Sequence, residues 1–117
     1  MLRDIESLID IEQAAKRILR FSSGVEQIEL ITNDEKISAI LYQITIIGEA
    51  TKRLSMGFRQ QHPEIPWRNL AGMRDIIVHE YDQIDLDIVW DVIQHEIPQL
   101  LKQIKPILMD SKTNESN

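Results

Sequence analysis

Cysteine is absent from the 117-residue chain, which excludes a disulfide scaffold, a thiol nucleophile and a zinc–thiolate site. Glycine and proline number only four each and gather at a few places. The longest stretch without a charged residue covers 37–48, twelve residues that include Ser, Gln and Thr. That is too short to span a bilayer. Arg3, Asp4 and Glu6 stand near the start, where a secretory signal needs an apolar core, so a cytoplasmic protein is expected. Hydrophobic residues at 43% and charged residues at 27% match one soluble globular domain that buries a core without staples.

Thirteen Lys+Arg against nineteen Asp+Glu give a net charge of −6, a poor balance for coating nucleic acid electrostatically. The average hides a segregation. Residues 50–79 carry five cations (Lys52, Arg53, Arg59, Arg68, Arg74) against Glu64 and Asp75, whereas residues 80–100 carry six anions and no Lys or Arg. Such a contrast fits ordinary solvated helix faces. It also fits a local anion-binding cleft, with the acidic region turned elsewhere or toward a basic partner.

Apolar residues recur at helical spacing almost throughout, and no stretch sustains the alternation of a strand. Residues 2–21 read as an amphipathic helix with Ile5, Leu8, Ile9, Ala15, Ile18 and Leu19 on one side. Ser22-Ser23-Gly24 stops it, and residues 25–31 read as a short helix or turn. Thr32-Asn33-Asp34-Glu35 fits a capping box with Thr32 as the cap. A long helix to about residue 55 follows, with Ile37, Ile40, Leu41, Ile44, Ile47 and Leu54 inward. Gly48 in its middle costs about 1 kcal/mol relative to Ala, which points to a close helix approach. Gly57, Pro63 and Pro66 mark an irregular connector, followed by a tight turn at 67–70 and a shorter helix at 73–81. Asp85 is a candidate N-cap for a last helix from Leu86, which Pro98 kinks or restarts. Residues 110–117 read as a frayed polar tail, leaving 1–109 as the domain. The expected class is all-α, a compact bundle of four to five helices.

Of the three histidines, His62 lies in the connector and His95 in the acidic last helix. His79 sits in Arg74-Asp75-Ile76-Ile77-Val78-His79-Glu80-Tyr81, where polar and titratable groups bracket an aliphatic run. The adjacent pairs His79-Glu80 and His95-Glu96 are not read as a metal site, and no metal is expected. The eight-residue segment resembles the Arg, four residues, His, one residue, Tyr motif of HEPN-domain ribonucleases of the HepT toxin family. Ile47-Gly48-Glu49-Ala50, Pro63-Glu64-Ile65-Pro66-Trp67, Gly72-Met73-Arg74-Asp75, and Asp85 with Trp90 also look like that family in order and spacing. The resemblance covers about residues 2–107.

The resemblance implies a HEPN-type two-fold homodimer that is the toxin of a type VII-like toxin–antitoxin system. It would be a metal-independent endoribonuclease acting on transfer or messenger RNA. The chemistry needs no cofactor: the 2′-OH attacks the adjacent phosphate, so a base, a proton for the leaving 5′-oxygen and a cation for the phosphorane suffice. His79 is the natural acid–base group, and Arg74 brings a planar fork of donors suited to phosphate. Asp75 is a supporting residue, either orienting a histidine or holding the arginine; as a helix-terminal acid it would be merely structural. Lys52, Arg53 and Arg68 are candidates to guide RNA.

On a straight helix Arg74 and Tyr81 share a face, while His79 lies about 140° round from Arg74. A long arginine reach, a distorted helix or a second protomer would reconcile them, and the resemblance favours the protomer. Tyr81 is, by spacing alone, also a packing aromatic. By resemblance it is the acceptor of AMP from ATP, transferred by a minimal nucleotidyltransferase antitoxin. Trp67 and Trp90 are expected as core or interface anchors instead of base-stacking platforms. Two other readings stay open: a non-catalytic helical binding module that partners a nucleotidyltransferase, and a purely structural helical dimer.

Overall fold

The apolar spacing at the start of the chain folds as α1 (Leu2–Ser22). Its buried stripe is Leu8, Ile11, Ala14, Ala15 and Ile18, while Ile9, expected inward, sits on the rim at 37% exposed. The computed structural model describes residues 2–73, 75, 78–79 and 83–116, with side chains over 3–73, 75 and 84–111. Ser22 closes α1 by donating its hydroxyl to the Ile18 carbonyl at 2.8 Å. Gly24 then turns the chain with φ +72°, a left-handed conformation that favours glycine.

A short α2 (Gln27–Thr32) leads into the long α3 (Asp34–Arg53). The α3 cap is Asn33, whose side chain accepts from the Lys36 amide at 3.0 Å. Thr32, expected as the cap, belongs to the last turn of α2. There its hydroxyl donates to the Ile28 and Glu29 carbonyls, the back-bonding available to a helical threonine. Ser55 caps a further helix, α4 (Met56–Gln61), so Gly57 lies in regular structure and not in an irregular connector. The tight turn expected at 67–70 is α5 (Trp67–Ala71).

The expected helix over 73–81 is corrected by the structure. Helical backbone reaches Asp75, but Val78–His79 form β1, paired antiparallel with β2 (Gln83–Ile84). Val78 faces Ile84 and His79 faces Gln83. The run Ile76-Ile77-Val78 explains the switch, since three consecutive β-branched side chains favour extended backbone over helix.

Asp85 caps α6 (Leu86–Asp91) as expected, accepting from the Asp87 and Ile88 amides. A π-helical turn, Val92–Glu96, follows and passes directly into α7 (Ile97–Ser116). Pro98 accounts for the widened turn. It has no N–H for the carbonyl four residues back, and the Ile97 amide bonds the Val92 carbonyl five residues back. The helical path continues through Pro98 instead of ending there, and α7 carries helix over 110–116, the stretch expected as a frayed tail.

The three long helices share one core. α1 packs on α3 and α7, and α5 packs on α3. Ile40, Ile44 and Ile47 of α3 join Ile97, Leu100 and Ile104 of α7 around the α1 stripe. The class is all-α, with the two-residue strand pair as a local exception. Among the described residues, no helix is long and apolar enough to cross a membrane.

Candidate functional site beside the 74–81 segment

Of the residues singled out in the sequence, Arg74 and Tyr81 lie outside the described residues, and His79 is described by its backbone. Asp75 is exposed. The helical-wheel relation expected between Arg74, His79 and Tyr81 does not carry past Asp75, because Val78–His79 are extended. Firm structure stands on both sides of the segment. Met73 is buried at 3% exposed, and the Asp85 carboxylate holds the first turn of α6 through two amides.

A cleft of about 350 Å³ opens between α5 and the helical run 95–103. Its apolar floor is Pro66, Leu70, Met73 and Leu100. The polar rim is Glu64 and Asn69 on one side and His95, Glu96, Gln99 and Gln103 on the other. Glu96, Gln99, Leu100 and Gln103 fall at i, i+3, i+4 and i+7, one helical face. The Gln103 Nε2 donates to the Glu64 carbonyl at 2.8 Å and so ties the two walls together. Its Oε1 is enclosed with no hydrogen-bond partner among the described residues.

His95 carries its own carboxylate, with Nδ1 2.9 Å from Asp91 Oδ1. Partial burial, with the Asp91 charge added, pushes the Glu96 carboxyl above its usual range. Sequence reading passed over this wall, although two signals were present: the carboxylate–carboxamide spacing 96, 99, 103, and Asp91 four residues before His95. Among the described residues, no group of three or more His, Asp or Glu is placed to hold a metal ion.

The family model described as Ribonuclease HepT-like matches residues 11–107, which includes the motif segment and all but the ends of the bundle. The chain belongs to the HepT-like ribonuclease family. A Methanocaldococcus jannaschii protein named "Putative RNase" is 34% identical over 116 residues, covering 98% of this chain and 96% of its own. One of the same name from Caldanaerobacter subterraneus subsp. tengcongensis is 36% identical, over 87% of this chain and 91% of its own. A Thermococcus cleftensis protein named "Probable ribonuclease HepT" is 34% identical over 80% of this chain and 84% of its own. No solved structure matches the chain.

Several of the segments that resemble the HepT family serve the scaffold of this HepT-like chain. Trp67 is buried at 7% exposed and donates Nε1–H to the His62 carbonyl at 2.9 Å. Its ring lies 6.0 Å from Phe58, which in turn packs on His62 at 4.7 Å. Trp67 is therefore a core anchor, as expected, and Trp90 packs half-buried against the same core. Gly48 faces the end of α5: a Cβ there would meet the Ala71 and Leu70 carbonyl oxygens at 3.5 and 3.6 Å. The close approach expected from its position is present.

The basic candidates divide by role. Arg59 is structural, donating to the Thr51 and Lys52 carbonyls at 2.8 and 3.1 Å and so closing the C-terminal end of α3. Arg53 pairs with Asp10 of α1 at 3.0 Å, and Lys52 stands 3.9 Å from Glu49. Arg68 is exposed on α5. None of Lys52, Arg53 and Arg68 lines the cleft.

Proposed function

We propose that this chain is the toxin half of a type VII-like toxin–antitoxin pair, a metal-independent endoribonuclease that works in the cytoplasm as a two-fold homodimer. One observation carries the reading. The family match contains the whole 74–81 segment, and this chain has Arg74, Asp75, His79 and Tyr81 at the motif's spacing. The names of the relatives support RNA as the substrate; transfer or messenger RNA is the source this reading assigns to it.

The chemistry is a transesterification. The RNA 2′-oxygen bonds to phosphorus, the bond to the 5′-oxygen breaks, and one proton leaves the 2′-OH while another reaches the leaving oxygen. Histidine titrates near the working pH and suits both transfers. A dimer supplies two copies of His79, one for each. Arg74 meets the extra charge of the phosphorane with donors that stay protonated. Asp75 supports this pair, and Lys52, Arg53 and Arg68 draw the phosphate backbone toward it. Transfer of AMP from ATP to Tyr81 by a nucleotidyltransferase antitoxin adds negative charge and bulk two residues from His79, which blocks RNA.

The test is intact mass and RNA cleavage in EDTA, for protein expressed alone and for protein co-expressed with the nucleotidyltransferase encoded beside it. An added mass of AMP units on Tyr81, with cleavage by the unmodified protein only, is the expected result. Unmodified dimer that leaves transfer and messenger RNA intact would overturn it in favour of a binding module.

A further inference from the structure

The cleft beside α5 has a composition that a phosphate-binding groove does not. Its described lining holds two carboxylates, Glu64 and Glu96, and no lysine or arginine. A phosphodiester entering it would meet like charge. The volume, about 350 Å³, is at the small-ligand end of binding pockets, and such pockets combine an apolar floor with a few convergent polar groups. The part of an RNA chain that is flat, uncharged and edged with hydrogen-bonding groups is the base.

The rim narrows the choice among bases. A carboxylate presents two acceptors side by side and no donor. Guanine alone among the four RNA bases presents two adjacent donors on its Watson–Crick edge, N1–H and N2–H. Adenine and cytosine each set one amino donor beside a ring acceptor, and uracil sets one N–H between two carbonyls. Guanine's remaining O6 and N7 acceptors call for donors, which the carboxamides of Asn69 and Gln99 supply from opposite walls. Leu70, Met73 and Leu100 provide the floor for its faces, with the methionine sulfur suited to an aromatic ring.

We propose that this cleft is a nucleobase subsite that seats a guanine of the bound RNA, its Watson–Crick edge against the Glu96 carboxylate. The proposal rests on the ribonuclease reading for its biological ligand. Two further observations fit it. Met73, which floors the cleft, is joined by one peptide bond to Arg74, so a base seated there belongs to a nucleotide close to the motif segment. Glu96 is also a carboxylate partly withdrawn from water, with no lysine or arginine beside it among the described residues of the cleft, and its pKa is raised by that burial and by Asp91. Two N–H donors from a guanine replace that water. The His95–Asp91 pair fixes the neighbouring ring and closes that end of the rim.

The binding arm uses guanosine 5′-monophosphate, with the adenosine, cytidine and uridine monophosphates as comparators. The full-length protein is titrated and followed through the side-chain amide signals of Asn69 and Gln99. The expected result is binding of the guanosine nucleotide at least ~10-fold tighter than the others, the order of discrimination a bidentate base contact gives. Glu96→Gln should remove most of that preference, and Gln99→Ala should weaken it; both positions are exposed, so neither change threatens the core. Equal binding of all four nucleotides, or an unchanged preference in Glu96→Gln, would overturn the subsite.

The cleavage arm maps cut sites on a mixed-sequence RNA. Cuts at a fixed offset from G that spread to other positions in Glu96→Gln support the proposal. Wild-type cutting with no relation to G overturns the subsite while leaving the ribonuclease reading intact. Selective guanosine nucleotide binding without any cleavage does the reverse.

Discussion

The carboxylate of Asp4 accepts two hydrogen bonds from Ser55, one from its amide and one from its hydroxyl, each at 2.8 Å. The Ser55 Oγ itself accepts from the Phe58 amide at 3.1 Å. A residue in the first turn of α1 thereby steadies the cap of α4, fifty-one positions away. Burial (Asp4 is 4% exposed) pushes the Asp4 carboxyl up, but the two bonds from Ser55 outweigh it and hold the pKa below its ordinary 3.8. Asp4→Asn should therefore cost about 1–3 kcal/mol at neutral pH. A depressed folded-state pKa gives stability that is full above the ordinary carboxylate value and lost as pH falls through the folded value. Thermal melts should show a wild-type advantage that is constant near neutrality and closes in acid. A gap that persists unchanged at low pH would contradict the charged-carboxylate account.

Gly48 makes a size-dependent prediction. The Cβ of an alanine would meet the Leu70 and Ala71 carbonyls at ordinary contact distance, and alanine is the better helix former by about 1 kcal/mol. Gly48→Ala should raise the melting temperature by a few degrees. Gly48→Leu, whose further carbons must enter the space held by α5, should lower it. Matched melts of the two variants separate propensity from packing.

Asp85 holds the first turn of α6 through the Asp87 and Ile88 amides. Removing that cap with Asp85→Ala should cost about 1 kcal/mol. Amide exchange should speed up at Asp87 and Ile88 before it does in α1 or α3. Unchanged exchange at those two amides would show that the cap is not what orders α6.

If Arg74 and His79 perform the chemistry, their loss should silence the protein without loosening it. His79→Ala should lower cleavage by about 10²–10⁴-fold, and Arg74→Ala by about 10²–10³-fold, with melting temperature and oligomeric size unchanged. A structural role predicts the opposite pattern. Then the variants would melt early or dissociate.

The long helices were legible because burial dictates their spacing. The α1 stripe, the α3 face, the Asp85 cap and the turn at Trp67–Ala71 each follow from side chains acting within a few residues of one another. The cap of α3 was misplaced by one residue, since Thr32 and Asn33 are both competent caps. Only the end of α2 decides between them. The strand pair Val78–His79 and Gln83–Ile84 was missed because Ile76-Ile77-Val78 also fits an apolar helix face. The cleft was missed for a different reason. Glu96, Gln99 and Gln103 have the composition of a solvent-facing helix side, and they become a wall only when α5 and Glu64 stand opposite. The 74–81 segment itself was visible through family resemblance and not through periodicity.

The π turn at Val92–Glu96 acts as a phase adjuster for everything after it. It holds one residue more than an α-helical turn needs, and each residue in an α-helix rotates the chain by about 100°. Deleting a single residue from that turn would restore regular winding and leave α7 in phase, because the wide turn already absorbs the extra residue. Ile97, Leu100 and Ile104 would stay in the core, and the Gln99–Gln103 side would stay on the cleft. The same deletion within a regular turn of α7 has no wide turn to absorb it and would swing the rest of that helix by about 100°.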